Sequence, residues 1–372
     1  MRRAACLGTV RSVKPACRTL VSALHPLPDP GRRDVLAAAA ALGLLASTPL
    51  RAQTRPERAR VTLALGGKNT LYYLPVILAA QLNYFNEEGV AVELQDHAGG
   101  GLAEQALTTG HADVAAGAYE HTILLRQRGV NCRAFALLGR APQAVFGVGN
   151  QVLTDGRTLR TLRGQRVGIS APDSATQWFA RLVLARDGLG PDDVQWVGVG
   201  TAAGAVAALR EGRIGAIANV DPVISQLEFA AQIRVVADAR SLRGTQQLYG
   251  GPMPGGCLYA PQGFVLRYPN TVQALANAVV RALKWLQTAG PSDIVRVVPE
   301  SAMTGDRAIY LAALDKVREA FSPDGLLSED AVQTAHRLVA QQLSTPAAVR
   351  AAAPAATYTN EFVLKAKQRF SA

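Results

Sequence analysis

Cysteine is scarce in this chain of 372 residues: there are four, and Cys6 and Cys17 fall within the first 52 positions. Cys132 and Cys257 remain, too few for a disulfide framework. Spacing does not decide whether they pair or stay buried as two small apolar thiols. Histidine is also scarce, and His97, His111 and His121 lie in separate segments without metal-ligand spacing. Each reads as a surface or capping residue. Beyond residue 52 no apolar run approaches the roughly 20 residues that a membrane-spanning helix needs. A clustered basic stripe is missing, which argues against a nucleic-acid partner. No GxSxG, HExxH or Ser–His–Asp arrangement occurs, and nothing calls for a cofactor.

What is present begins with an export pattern. Arg32-Arg33-Asp34 precedes an apolar run from Val35 to Leu45, and a small-residue exit ends at Leu50-Arg51-Ala52. This is the three-part logic of a secretory signal over 1–52, with cleavage expected after Ala52. The paired arginines point to the twin-arginine route. Periplasmic localisation follows from it. Eight Lys/Arg and two Asp/Glu of the signal account for much of the formal net charge of +11, leaving +5 on the remaining residues. That modest positive field suits an anionic small ligand.

Residues 53–60 read as a polar, flexible linker. Strand–loop–helix units then follow in series. Val61–Leu65 is a strand with an exit loop at Gly66–Thr70. A helix starts near Pro75, with Leu78, Leu82 and Phe85 on one face. The strand 90–94 leads through Gly99–Gly101 to a helix over Leu102–Thr109, and the strand Ala112–Ala116 leads to a helix opening at Tyr119-Glu120. Glycines stop these helices at Gly89, Gly110 and Gly129. Arg133–Leu138 is a further strand, and Gln143–Gly149 reads as the chain crossing into a second lobe. There the same grammar repeats through the strands Arg166–Ile169, Val194–Val199, Ala216–Asn219 and Ile233–Ala237. Gly250–Gly256 reads as a switch, and Cys257–Leu266 as a strand returning to the first lobe. The expected organisation is α/β: lobe one over 61–147 and 253–372, lobe two over 148–252, and two connecting segments that form a hinge. Ligands of open α/β sheets bind where strand carboxyl ends meet helix N-termini.

The segment Leu74-Pro75 with Leu82-Asn83-Tyr84-Phe85-Asn86-Glu87-Glu88-Gly89-Val90 carries a resemblance, as do Ala106-Leu107 and Gly110-His111-Ala112-Asp113-Val114. Gly168-Ile169-Ser170, Ser174-Ala175-Thr176 and Ala207-Ala208-Leu209 with Gly212 extend it. Together they resemble the periplasmic substrate-binding proteins of ABC importers of the nitrate/taurine/sulfonate type, whose relatives bind thiamin pyrimidine precursors. The resemblance implies the two-lobed type II binding-protein fold, with each lobe a sheet flanked by helices. It implies a monomer that captures an anionic, sulfonate, aromatic or pyrimidine-like small molecule and delivers it to an inner-membrane ABC permease. A sensor serving a membrane receptor is the alternative. Same-fold enzymes use cysteine-rich motifs or a first-loop cysteine, and neither is present.

The resemblance places ligand contacts in the first loop, at Asn69, Thr70 and Tyr72. Ser174 and Thr176 open a helix where free N–H groups and hydroxyls hold an anionic group, or act as an ordinary cap. Gly100 and Gly101 permit close backbone approach to a ligand, or make a turn. Tyr119 and Glu120 follow a strand end; Glu120 accepts from a ligand amine or serves the helix macrodipole. Asn219 and Asp221 end a lobe-two strand, with Asp221 as a plain N-cap before Pro222 the alternative. An acidic pair facing the cleft would favour a ligand with donor groups.

Overall fold

In the computed structural model, residues 55–152, 158–303, 306–343 and 353–372 are described; the expected export signal lies outside them. Ten strands among these residues form two five-stranded sheets. β1 (Arg60–Leu65), β2 (Ala91–Asp96), β3 (Val114–Ala118), β4 (Cys132–Leu137) and β10 (Gly256–Pro261) make the first, in the order β2-β1-β3-β10-β4. β5 (Val145–Gly149), β6 (Arg166–Ile169), β7 (Gln195–Gly198), β8 (Ala216–Asn219) and β9 (Ile233–Asp238) make the second, in the order β7-β6-β8-β5-β9. The sheets share one plan. β10 runs antiparallel between β3 and β4, and β5 runs antiparallel between β8 and β9.

The inserted strands are the two that follow the crossings between lobes. Val145–Gly149 is therefore a buried strand of the second sheet, not part of a connection. Its run of buried residues lacks the period-two signal of a half-exposed strand, which is why periodicity passes over it. The second sheet accordingly begins at Val145. The returning strand stops at Pro261, and Gln262–Arg267 is helical. A helix unread in the sequence, Leu242–Tyr249, precedes the return crossing; Ser241 caps it by accepting from the Gly244 N–H at 2.9 Å.

The glycine stops have a conformational cause. Gly110 and Gly129 have φ of +78° and +82°, left-handed values that cost other residues. The lead-in over 55–60 is held rather than loose. The Glu57 carboxylate accepts from the Asn270 N–H and from the N–H and hydroxyl of Thr271, and Arg58 pairs with Asp113 at 2.7 Å.

The main core packs β1, β3, β4 and β10 against the helices Leu74–Gln81 and Pro269–Thr288, through Leu63, Leu78, Phe135, Leu275 and Val279 among others. The long helix 269–288 buries an apolar face, as its sequence period demands. Among the described residues no helix is long and apolar enough to cross a membrane. Cys132 and Cys257 are both free and buried. β10 pairs with β4 so that Cys257 faces Leu137 and Cys132 faces Pro261, at opposite ends of the ladder, so neither thiol reaches the other.

Candidate functional site

The carboxyl ends of β1, β3, β6 and β8 converge on one small cavity between the sheets, of about 40 Å³. Lobe one contributes Gly66, Tyr72, Tyr73, Gly100, Glu120 and His121; lobe two contributes Ser170, Ser174, Thr176, Thr201 and Val220. Pro142, Ala144 and Tyr249 line it from the crossing side. Two larger hollows have other settings. One of about 550 Å³ lies at the amino ends of β6 and β8, around Gln165, Arg166 and Gly215. The other, of about 590 Å³, lies between Leu242, Pro252 and the region Leu326–Ala331. Neither sits where strand ends and helix starts from both sheets meet, and that convergence is what defines a ligand cleft in this architecture.

Five of the residues singled out in the sequence line the cavity: Tyr72, Gly100, Glu120, Ser174 and Thr176. Six do not. Asn69 is half-buried outside it. Thr70 turns its hydroxyl back to the Gly67 carbonyl at 2.8 Å. Gly101 makes its close approach to the other lobe instead of a ligand: a Cβ there would lie 2.1 Å from the Pro172 carbonyl oxygen. Tyr119 is fully buried, and its hydroxyl bonds to Thr357 Oγ1 at 2.6 Å. Asn219 donates to the Gly200 carbonyl and accepts from the Val220 N–H.

Asp221 is occupied as well. One carboxylate oxygen accepts from the Ser225 N–H at 2.8 Å, in the first turn of the helix Val223–Phe229, whose N-cap position is held by Pro222 and not by Asp221. The other lies 3.4 Å from the Arg240 guanidinium. Burial pushes the Asp221 carboxyl up, and Arg240 opposes that shift. Only one member of the expected acidic pair, Glu120, therefore faces the cavity.

Tyr73, His121, Ser170, Thr201 and Tyr249 are lining residues that the sequence reading missed. Ser170 and Thr201 follow the ends of β6 and β7, so the rule that selects Ser174 would have found them. Tyr249 sits on the unread helix. His121 is fully buried, not at the surface. Its Nδ1 lies 3.4 Å from Glu104 Oε2 and 3.3 Å from the Tyr259 hydroxyl, while its Nε2 is buried without a hydrogen-bond partner.

The two sides of the cavity differ in chemistry. On lobe two, Ser174 is the N-cap of the helix Ala175–Ala185 but its side chain makes no cap bond. Its hydroxyl and that of Ser170 both bond Thr176 Oγ1, at 2.7 and 2.9 Å, and Thr176 also accepts from the Ser170 N–H. This hydroxyl cluster lies at the positive end of a helix. On lobe one, Glu120 is 8% exposed, and burial pushes its carboxyl up, with His121 acting in the other direction. Burial also raises the Tyr72 and Tyr249 phenols, and the nearby Glu120 charge adds to both. No lysine or arginine is among the lining residues.

Two helix-flanked sheets joined by paired crossings, with a polar cavity between them, define the periplasmic binding-protein fold. The chain belongs to the NMT1-like family, which its residues 55–297 match. A solved protein of Bordetella bronchiseptica RB50 is 44% identical over 86% of this chain and 100% of its own, with a TM-score of 0.83. The alkanesulfonate-binding protein SsuA of Xanthomonas axonopodis pv. citri, bound to MOPS, shares the fold at 18% identity and a TM-score of 0.61, over 79% of this chain and 94% of its own. The periplasmic nitrate-binding protein NrtA of Synechocystis PCC 6803 does so at 14% identity and 0.65, over 85% and 90%. No curated protein matches the chain.

Proposed function

We propose that this protein is the solute-binding component of an ABC importer, exported to the periplasm and working there as a monomer. It captures a small molecule between its lobes, closes on it and delivers it to an inner-membrane permease. The observation that carries this reading is the cavity at the strand ends, lined by polar side chains from both lobes. A ligand held from both sides favours the closed arrangement by its differential affinity for it. Cross-cleft contacts support closure: the Leu71 N–H donates to the Asp221 carbonyl at 3.0 Å, and Lys316 reaches Glu228 at 2.9 Å. The binding-protein neighbours favour capture over catalysis.

A thermal-shift panel of nitrate, bicarbonate, sulfonates, aromatic carboxylates, pyrimidines and polyamines tests it. A ligand at about 100 times its dissociation constant adds about 2.7 kcal/mol of stability. The hit should also reduce the radius of gyration in small-angle scattering. A hit that leaves the molecule equally extended would refute capture by closure.

A further inference from the structure

From the two faces of the cavity we infer that the ligand carries an N–H donor toward Glu120 and an acceptor toward the Ser174/Thr176 cluster. Its class is therefore polar at both ends and neutral or cationic overall, as in amides, amidines and amino-substituted rings, rather than a simple anion. This rests on the capture reading above and specifies its substrate.

Two observations on lobe one and one on the whole lining carry the inference. Glu120 lines the cavity, and none of the described residues donates to its carboxylate apart from its own backbone amide. A carboxylate so buried is costly until a donor or a cation meets it. His121 stands beside it with Nε2 unpartnered. Its other ring nitrogen, Nδ1, faces Glu104. A buried carboxylate without a side-chain donor on the cavity wall calls for a ligand that donates. No lysine or arginine is among the lining residues to neutralise a full anion. On lobe two the chemistry reverses. Hydroxyls gathered at the start of an eleven-residue helix offer donors to an oxygen or ring nitrogen of the same ligand.

Isosteric probe sets separate the classes. Acetamidinium, acetamide and acetate share one shape; benzamidinium, benzamide and benzoate share another; nitrate and methanesulfonate serve as anions. Titration calorimetry on the purified full chain should give at least tenfold tighter binding for the amidinium and amide members than for the carboxylates and the two anions. Glu120→Gln should weaken the amidinium members about tenfold and the amides less. The ligand-free melting temperature serves as the fold control, and Glu120→Gln should melt no lower than the parent.

Tighter binding of the carboxylates, nitrate or methanesulfonate would overturn the inference. So would an amidinium affinity indifferent to Glu120→Gln, or binding by no probe. Anion binding accompanied by compaction in scattering would remove the donor class and leave the capture role standing. A tightly bound probe without compaction would instead overturn capture by closure.

Discussion

Glu120 combines a burial that opposes its charge with a place on the cavity wall. Its folded carboxyl titrates above the ordinary 4.5. Ionisation at neutral pH therefore opposes folding, and stability rises as pH falls through the folded value and levels off below the unfolded one. Glutamine has no such titration. Ligand-free Glu120→Gln should thus melt above the parent at pH 7, and the gain should shrink to nothing as the pH is lowered past about 4.5, the unfolded value. Melting curves over that range check it; a gain that persists at the acid end would mean that packing, not charge, separates the two side chains. At this scale the sequence was half legible. Ser174, Thr176 and Glu120 were found because each follows a strand end. Tyr119 and Asn219 satisfy the same rule, but their polar atoms are taken by Thr357, Gly200 and Val220. Chain position names the neighbourhood of a cleft; the rotamer, set by distant partners, decides which side chain enters it.

At the scale of elements, the segment from β8 to β9 is organised by one arginine. Arg240 lies 2.7 and 3.0 Å from the two carboxylate oxygens of Glu228, pairs with Asp238, and lies 3.4 Å from Asp221. Burial would push the Glu228 carboxyl up, but Arg240 and Lys316 outweigh it and hold it below its ordinary value. Lys316 belongs to the helix Arg307–Val317, whose Tyr310 and Leu314 pack in the main core, so the cluster also ties the lobes together. Arg240→Met leaves the buried Asp221 without its cation and should cost about 3–5 kcal/mol in chemical denaturation. In an Asp221→Asn background the same change should cost clearly less. Equal costs in both backgrounds would place the arginine's contribution with Glu228 and Asp238 alone. None of this was legible along the chain, because the partners come from separate elements.

At the scale of the whole molecule, closure depends on small residues at the lobe contact. A Cβ on Gly101 would lie 2.1 Å from the Pro172 oxygen, and one on Gly67 equally close to Thr201 Oγ1. Gly101 lies in the helix Gly100–Thr108, away from any left-handed φ, so alanine suits its backbone. Helix propensity even favours alanine, by up to about 1 kcal/mol. Gly101→Ala should therefore leave the ligand-free stability unchanged or slightly higher while holding the lobes apart. Scattering should show a radius of gyration that no longer falls with ligand, together with weaker binding. Normal compaction in this variant would mean that the closed lobes meet elsewhere.

The repeated strand–loop–helix grammar, the glycine helix stops and the family membership were determined by the sequence alone, because they depend on short-range periodicity and on residues with special backbone freedom. The strands inserted after each crossing, Val145–Gly149 and Gly256–Pro261, take their places in the sheets from long-range pairing. Tertiary structure alone decided that Asp221 goes to Arg240 while Glu120 stays at the cavity, and that Gly101 meets the opposite lobe. The reason is physical: propensity acts over a few neighbouring residues, whereas a carboxylate's partner and a glycine's neighbour are whatever the packing of distant segments brings within a few ångströms.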